Sequence, residues 1–548
     1  MNRRPSLLFL FVSILLILNA CASSDQVRLP VIVGPTVTPN LDPSPSLTPF
    51  SPQGNIATTL PTIRATNPET HTATPQLVNS IETASALLSG ATLTVTPATG
   101  QVSSFLTPMP SAITTLTQIP ASVPARYTLS VMMNYGMHTL NTDETIHYVN
   151  STGSILNSMV LAVEPNLWKD CFSQSSMTVN GHDVGDFILN GDRLEIPLQK
   201  PIAPNDVLDF FIHFDLRLPA ADVYHVFGYN DYQTNLVDWY PFIVHYVPGQ
   251  GWLLHPPANV GEHLAYDVEN FDMTLHLTDS NFHAVVAASA PAESITFGWR
   301  YRLESIRSFA FSVSAGYKMA TTKVDGITVK SYFFDSESSQ GQAVLDEVSK
   351  AVKTFDYLFG SNPYPSISIV ESPFYDGMEY DGLFFLSRDY YTAENGTVLN
   401  DLVDIAVHET AHQWWFGSVG SDQAMEPWLD EALATYSERL FYEQNYPDVT
   451  AWQAFRIDAY NPSGWVDTDI YHGVDFRTYA NAVYLRGAQF LQALRMRVGD
   501  ETFFAFLKDY ATQMSGKLST SIDFFRILRE HTNVDISDLL AEFFQSPH

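Results

Sequence analysis

Two histidines spaced by one helical turn, His408 and His412, constrain this chain more than any other feature. On a helix, side chains four residues apart project from one face, so both imidazoles can bind a single metal ion. Two Zn–N bonds of about 2.0 Å would leave positions for a carboxylate and a water. Glu409 follows the first histidine and points toward the open side of such an ion, where a carboxylate can take a proton from the water. The pattern predicts a helix with a metal-binding face.

A third ligand is predicted in a second segment of helical apolar spacing. Eighteen residues separate His412 from Glu431, and the two helices could pack antiparallel. Two imidazoles and one carboxylate leave one coordination position open, as in catalytic zinc sites. A solvated helix carboxylate is the alternative for Glu431, because most glutamates are exposed. The combined spacing favours a ligand.

The charge balance excludes one class of function. The 548 residues include 59 acidic and 28 basic side chains, for a formal charge of −31, and we find no basic run beyond the extreme N-terminus. A protein that binds nucleic acid by neutralising phosphates is therefore not expected. The two cysteines, Cys21 and Cys171, provide neither a disulfide framework nor a thiolate metal site.

The N-terminus has the layout of an export signal. Residues 1–20 contain Arg3 and Arg4, then an apolar run too short for a comfortable membrane span. Leu18-Asn19-Ala20-Cys21 resembles the bacterial lipobox, in which the cysteine is lipidated. An ordinary cleaved signal with an incidental cysteine is the alternative. We expect an exported protein that Cys21 anchors to a bacterial cell membrane, with its body outside the cytoplasm.

Composition and periodicity divide the rest of the chain into three parts. Residues 21–125 are rich in Thr, Pro and Ser and poor in large apolar side chains, which predicts a disordered tether. Residues 126–322 show apolar alternation and Asn-Gly turn signals, which predict an antiparallel β domain. Residues 323–548 show mainly helical spacing, as in the stripe Val344, Val348, Val352, Phe355 and Leu358.

Three motifs together resemble the aminopeptidase N family of zinc metallopeptidases, of the gluzincin type. The first is His408-Glu409-x-x-His412 with Glu431, flanked by Trp428-Leu429-Asp430-Glu431-Ala432. Gly377-Met378-Glu379-Tyr380 is similar to the family's Gly-Ala-Met-Glu-Asn motif, and Tyr484-Leu485-Arg486-Gly487 is similar to its Tyr-x-Lys-Gly segment. The resemblance covers everything after the tether. It implies an α+β fold, in which an antiparallel β domain precedes a mainly helical, thermolysin-like zinc peptidase domain. It also implies a short form without the family's large C-terminal helical domain.

The resemblance implies roles for single residues. One zinc ion per chain would be held by His408, His412 and Glu431, with Glu409 as general base. Tyr484 would donate a hydrogen bond to the developing oxyanion, although a tyrosine packed on its helix is the ordinary alternative. Glu379 would bind the free amino terminus of a peptide, with Gly377 and Met378 beside it.

Two residues depart from the family's exopeptidase motif. Asp376 stands in place of its first Gly and Tyr380 in place of its Asn. The extra carboxylate of Asp376 could strengthen capture of an ammonium group, or could accompany a change away from exopeptidase activity.

Four further residues have weaker signals. Glu438 and Asp404 could each accept an imidazole N–H and fix its tautomer, or could be exposed helix carboxylates. Tyr479 could line the pocket or pack in the core. Gln233 could reach the cleft, as a glutamine does in relatives.

We therefore expect an exported zinc aminopeptidase that acts on peptides with a free N-terminus. The alternatives are an endopeptidase of altered specificity and a surface binding protein that retains the peptidase fold with little turnover. The sequence leaves the oligomeric state open.

Overall fold

The computed structural model describes residues 123–279, 283–451, 453, 457, 462–473 and 475–546. The predicted signal, Cys21 and nearly all of the predicted tether lie outside the described residues, so those expectations stay predictions. Within the described ranges, no helix is both long and apolar enough to cross a membrane.

The first half of the described chain is built of strands. In chain order they are β1 (Arg126–Asn134), β2 (Thr139–Val149), β3 (Leu156–Ala162), β4 (Phe172–Val179), β5 (His182–Asp183), β6 (Ile188–Asn190), β7 (Arg193–Ile202), β8 (Val207–Arg217), β9 (Gly228–Tyr229), β10 (Thr234–Leu236), β11 (Phe242–Ile243), β12 (Tyr246–Val247), β13 (Gly251–Trp252), β14 (Glu269–Leu277), β15 (Val285–Ala288), β16 (Ala292–Ile295), β17 (Gly298–Ile306) and β18 (Phe311–Ser314).

The second half is mainly helical. Its elements are β19 (Lys318–Val324), β20 (Ile327–Phe333), α1 (Ser338–Phe359), β21 (Ser366–Ser372), β22 (Met378–Tyr380), β23 (Leu383–Ser387), α2 (Arg388–Ala393), α3 (Asp401–Ala411), β24 (Val419–Ser421), α4 (Trp428–Asn445), α5 (Phe476–Ala480), α6 (Arg486–Val498), α7 (Asp500–Met514), β25 (Lys517–Ser519), α8 (Ser521–His531) and α9 (Ser537–Phe543). A β-rich part followed by a helical part confirms the predicted α+β fold class.

Alternation of apolar and polar side chains determines the large sheet of the first half, which runs β16-β17-β14-β1-β2-β8-β4-β5. In β1, Tyr127, Leu129, Val131 and Met133 are buried while the residues between them are exposed, as a period of two requires. The sheet departs from the antiparallel prediction at one pairing, because β1 lies parallel to β14. The long connection between these strands permits that direction, which a tight hairpin would not.

The predicted turn at Asn180-Gly181 joins β4 to β5. Asn180 has φ +52° and Gly181 has φ +75°, and the flanking residues Val179 and His182 are paired. Two consecutive positive φ angles match the twist of a hairpin and suit Asn-Gly. This part of the sequence reading is confirmed.

Helix α3 lies between two layers. On one side, Leu402 and Ala406 pack with α1 and with the sheet β19-β20-β21-β23-β22. On the other side, Val403 and Val407 join the core formed by α4, α6, α7 and α8. Contacts on both sides hold the helix along its length, which fixes the direction of every side chain it carries.

Arg307 connects the two halves close to the end of α3. Its buried guanidinium donates hydrogen bonds to the carbonyl oxygens of Tyr266 at 2.7 Å, Phe416 at 2.6 Å and Gly417 at 3.1 Å. These carbonyl oxygens replace the water that the buried guanidinium loses, and so offset the cost of its desolvation. The loop after α3 is thereby fixed to the first half. The predicted boundary between residues 322 and 323 falls within β19, and the domain limits stay predictions.

Candidate active site

A capped helix presents the histidine pair. The Asn400 side chain accepts a hydrogen bond from the Val403 N–H at 3.0 Å, so α3 begins with an N-cap. His408 and Glu409 lie near the end of α3, and His412 follows it with helical backbone angles. The predicted spacing of four residues is therefore realised in helical geometry.

Three side chains meet at one point between α3 and α4. The Nε2 atom of His408 is 3.3 Å from Glu431 Oε2, and the Nε2 atom of His412 is 3.6 Å from the same oxygen. All three side chains are buried. Their ligand atoms lie within 4.8 Å of one another, so a single ion can contact all three. Two imidazoles and a carboxylate are donors that zinc uses.

The far nitrogen of each imidazole is held by a carboxylate on α4. His408 Nδ1 lies 2.9 Å from Glu438 Oε1, and His412 Nδ1 lies 2.6 Å from Asp430 Oδ1. An ionised carboxylate only accepts, so each Nδ1 carries a proton, and each Nε2, which faces Glu431, is the nitrogen that would bind a metal. This arrangement fits the ion that the donor set implies.

The two carboxylates behind the histidines are themselves bound by amides. Gln453 donates to Glu438 at 3.1 Å, and Gln423 donates to Asp430 at 2.9 Å. These bonds fix the carboxylates, which in turn fix the imidazole rings. Such outer contacts determine how well a metal is held.

Of the two acceptors proposed from sequence, Glu438 contacts an imidazole and Asp404 does not. Asp404 is buried one turn before His408, but the nitrogens of His408 and His412 are taken up by Glu438, Asp430 and Glu431. Asp404 is therefore not the acceptor that its place on the helix suggested, since α4 supplies both acceptors instead.

The electrostatics of the cluster favour a cation. Burial opposes ionisation of Glu431, yet its hydrogen bonds to His408 and His412 lower its pKa to about 2. Burial likewise lowers the pKa of His408, but Glu431 and Glu438 outweigh it and raise the pKa to about 10. Buried carboxylates thus stabilise positive charge at this point, and a bound metal ion supplies it.

Glu409 faces the same space. It is 4% exposed, and its Oε2 has no hydrogen-bond partner among the described residues. Burial raises its pKa well above the usual range, and the charges of Glu379 and Glu431 add to the rise. A Cβ at Gly377 would lie 2.2 Å from Glu409 Oε1, so only glycine allows this close approach of backbone to carboxylate.

Two tyrosines flank the ligands. Tyr484 lies in a π-helical turn, Asn481–Leu485, and its ring stacks on His408 with centroids 6.0 Å apart and planes 4° apart. Burial, the charge of Glu431 and a hydrogen bond to Glu431 raise the Tyr484 pKa well above its usual value, so the hydroxyl keeps its proton. Tyr479 is fully buried and packs edge-on to Tyr484 at 5.8 Å. π-Helical turns occur often at functional sites.

Glu379 lies in edge strand β22, beside the metal ligands. It is 5% exposed and forms a compact group with Glu409 and His412. Burial is the main cause that raises the pKa of Glu379 to about 7, with Glu431 and Asp430 adding to the rise and His412 opposing it. Gln423 donates to it at 3.4 Å. Met378 precedes it and lines the adjacent cavity.

Sequence reasoning missed Glu262, which comes from the first half of the chain. It lines the same cavity as Glu379. Burial raises its pKa well above the usual range, followed by the charges of Glu379, Glu431 and Asp430. Gly261, with φ +70°, packs against Tyr479, where a Cβ would lie 2.7 Å from the hydroxyl oxygen. A glycine at this contact is the one local signal in the sequence that could have pointed to Glu262.

Two other residues do not join the cluster as the sequence suggested. Gln233 donates to Asn235 at 2.9 Å inside the β-rich half, and the cavity beside Glu379 is lined by other residues. The Asp376 carboxylate accepts from the Tyr390 hydroxyl at 2.6 Å and from the Gly377 N–H at 3.0 Å. Asp376 is thus bound to its own neighbours.

Part of the chain matches a known family of peptidases. A model of the peptidase family M1 domain matches residues 344–543, from α1 to the end of α9. Aminopeptidase M1-B from Oryza sativa subsp. japonica is 26% identical over 235 residues, which are 40% of this chain and 27% of that protein. Aminopeptidase N from Lactobacillus delbrueckii subsp. lactis is 22% identical over 292 residues, 49% of this chain and 35% of that protein. The chain thus spans about a quarter to a third of the length of these curated relatives.

Solved structures share the fold. An M1 zinc metallopeptidase from Deinococcus radiodurans matches with a TM-score of 0.55 at 17% identity, over 74% of this chain and 91% of that one. A variant of the enzyme from the same organism, bound to a Tyr-Ser-Ala substrate, matches with a TM-score of 0.56 at 16% identity, over 78% and 96%. Residues 344–543 are thus similar to the peptidase family M1 domain, and the fold is shared with solved M1 zinc metallopeptidases.

Proposed function

We propose that this chain is a zinc-dependent aminopeptidase that removes the N-terminal residue from peptides. The observation that carries the proposal is the pair of carboxylates, Glu379 and Glu262, that line one cavity beside the His408, His412 and Glu431 cluster. A metal site alone would suit many hydrolases. Carboxylates beside it specify a cationic group on the substrate, and the free amino terminus is such a group.

Zinc fits the cluster because its donors are two imidazoles and one carboxylate, with both far nitrogens held by carboxylates. When bound, the ion would polarise the scissile carbonyl and lower the pKa of an attacking water toward neutrality. One zinc ion per chain would be bound by His408, His412 and Glu431.

Glu409 is the general base of the proposed reaction. Its Oε2 atom has no partner among the described residues, and its carboxylate group is desolvated, which raises its affinity for a proton. It takes the proton of the attacking water and then delivers it to the leaving amine. Gly377 leaves the room that the carboxylate occupies.

Tyr484 is the oxyanion donor. Its hydroxyl is protonated and lies within hydrogen-bond reach of Glu431, so it faces the ligands. The ring is held by stacking on His408. A donor that is positioned before the reaction stabilises charge that develops on the carbonyl oxygen without reorganising.

Glu379 and Glu262 hold the substrate's α-ammonium group. Glu379 is buried and Glu262 is partly buried; their carboxylates repel each other, and a cation bound to both relieves this repulsion. Charge-assisted hydrogen bonds then fix the amino terminus, and with it the first peptide bond. A peptide whose amino group is blocked brings no cation and leaves both carboxylates uncompensated.

Hydrolysis of a panel of aminoacyl chromogenic amides tests the proposal. The purified chain should release the chromophore, lose activity to a chelator and regain it when zinc is added back. Silence on every amide by protein that retains zinc would contradict aminopeptidase activity and would favour an endopeptidase or a binding protein.

We also propose that the chain is exported and held at a bacterial membrane by lipid on Cys21, with residues 21–125 as the tether. This proposal rests on the sequence of residues 1–21. Two acyl signals suffice for stable anchoring. Cys21→Ala should move the protein from the membrane fraction to the soluble fraction, while Cys171→Ala, at the buried cysteine, should not. Unchanged membrane association of the Cys21 variant would contradict anchoring.

A further inference from the structure

A second cluster of metal-ligating side chains lies in the β-rich half. Glu164 follows β3, Asp192 lies in the turn between β6 and β7, and His263 lies in the connection between β13 and β14. Their exposed fractions are 0%, 9% and 2%. Three separate parts of the chain thus bring two carboxylates and one imidazole together in the interior.

The spacing of this cluster is close to that of the His408 cluster. His263 Nε2 lies 3.3 Å from Glu164 Oε1 and 3.9 Å from Asp192 Oδ2, against 3.3 and 3.6 Å from the two histidines to Glu431. Ligand atoms at about 2.0 Å from a tetrahedral zinc ion lie roughly 3.3 Å apart. In each cluster, the ligand atoms lie within 4.8 Å of one another.

Buried oxygens at this place lack partners. Glu164 Oε2 and Asp192 Oδ2 accept no hydrogen bond from any described residue, and neither does Oδ2 of nearby Asp238, which is 1% exposed. Buried polar oxygens are normally hydrogen-bonded, and buried charges are normally paired or bound to a metal. Orphaned oxygens in a buried cluster therefore call for a ligand that supplies positive charge.

The charges do not balance without such a ligand. The negative charges of Glu164, Asp192 and Asp238 all favour the protonated form of His263. In turn, the positive charge of His263 partly offsets the negative charges of Asp192 and Asp238. One imidazolium against three carboxylates leaves an excess of negative charge in the interior.

We propose that Glu164, Asp192 and His263 bind a second divalent metal ion of the zinc class. The imidazole favours zinc-class ions over calcium or magnesium, which prefer oxygen ligands alone. The rival is a plain ion pair between protonated His263 and Glu164, with a protonated Asp192 beside it. In that rival a protonated Asp192 donates a hydrogen bond to Glu164, so a count of bound metal decides between the two arrangements.

The second ion would connect the β-rich half to the substrate cavity. His263 follows Glu262 directly, and both residues line the cavity that also contains Glu379. An ion fixed to Glu164 and Asp192 holds His263, and so restricts the backbone that positions Glu262. The role is one of positioning, since the proposed ligands include none of His408, His412 and Glu431.

Counting bound metal tests this proposal. The full chain, loaded with zinc, dialysed and analysed by mass spectrometry of the metal, should retain two ions. His263→Gln should retain one, and the double variant His408→Gln/His412→Gln should also retain one. His225→Gln is the matched control, because this buried histidine pairs with the exposed Asp222, belongs to neither cluster and should leave the count at two.

Each result discriminates. One ion in the wild type that disappears in the His408/His412 variant would overturn the second site and leave the proposed aminopeptidase intact. Two ions in a folded His263 variant would show that the second ion binds elsewhere, which also overturns the proposal. Asp192→Asn, expected to lower the count to one, serves if the His263 variant does not fold, and the wild-type count depends on no variant.

Discussion

Five carboxylates lie close together in this site, four of them buried and that of Glu262 partly buried. Glu262, Glu379, Glu409, Asp430 and Glu431 act on one another through their charges. Isolated buried anions are strongly disfavoured. The negative charges of Asp430 and Glu431 are compensated by histidines. Glu262, Glu379 and Glu409 would be compensated by cations or protons supplied by the metal, the water and the substrate.

Replacing the proposed base should separate metal binding from catalysis. Glu409→Gln keeps the size of the side chain but cannot take a proton, so turnover of aminoacyl amides should fall by about 10²–10⁴. Zinc content should not change, because the ligands are His408, His412 and Glu431. Near-normal turnover by the zinc-loaded variant would exclude Glu409 as the base.

Replacing Glu262 should weaken the hold on the amino terminus. Glu262→Gln removes one charge-assisted contact, of about 1.5 kcal/mol, so KM for aminoacyl amides should rise roughly tenfold with a smaller change in kcat. Glu304→Gln, on the exposed surface of β17, is the control and should match the wild type. An unchanged KM in the Glu262 variant would remove this residue from substrate binding.

At this scale, sequence reasoning was most effective for residues within one motif. The meeting of His408, His412 and Glu431 follows from helical periodicity, and the contact of Glu438 with His408 lies on the same two helices. Asp430 was passed over, although it stands beside Glu431, because the spacing of side chains on one helix does not tell which faces a histidine. Glu262 is far away in sequence and becomes a neighbour only through the fold.

Among the elements, α3 determines the geometry of the site. Its apolar side chains divide between two cores, and Asn400 satisfies one of its first N–H groups. A helix end without a cap loses such a bond to solvent or leaves it unmade. The cap therefore contributes to the stability of the element that carries His408 and Glu409.

Removing the cap should weaken the whole domain by a measurable amount. Asn400→Ala should lower the free energy of unfolding by about 1 kcal/mol, while Asn400→Asp keeps an acceptor and should lose less. Chemical denaturation of the metal-free chain measures both variants without the contribution of zinc. Equal stability of the Ala variant and the wild type would mean that the cap contributes nothing.

The elements that sequence periodicity predicted are those with a strong pattern. The apolar stripe from Val344 to Leu358 is buried along α1. Asn180-Gly181 forms the predicted turn between β4 and β5. The parallel pairing of β1 with β14 was not predicted, because alternation gives the faces of a strand but not its neighbours. Helical spacing likewise does not reveal the close contact of α4 with α6, where a Cβ on Gly487 would lie 2.3 Å from the Ala432 Cβ.

At the scale of the whole molecule, the site depends on both halves of the chain. The helical half supplies the metal ligands, Glu409 and Tyr484, while the β-rich half supplies Glu262. Arg307 fixes the loop after α3 to the β-rich half through carbonyl oxygens on both sides. The cavity that we propose to bind the amino terminus is thus formed by residues of both halves.

The central claim is that the protein binds the free amino terminus of its peptide substrate. The most direct test is mass spectrometry of one short peptide, offered with a free and with an acetylated N-terminus to the zinc-loaded full chain. The account predicts stepwise loss of residues from the free peptide and no cleavage of the acetylated one, because Glu379 and Glu262 then lack a cation. Equal cleavage of both peptides, or cleavage at internal bonds, would contradict it.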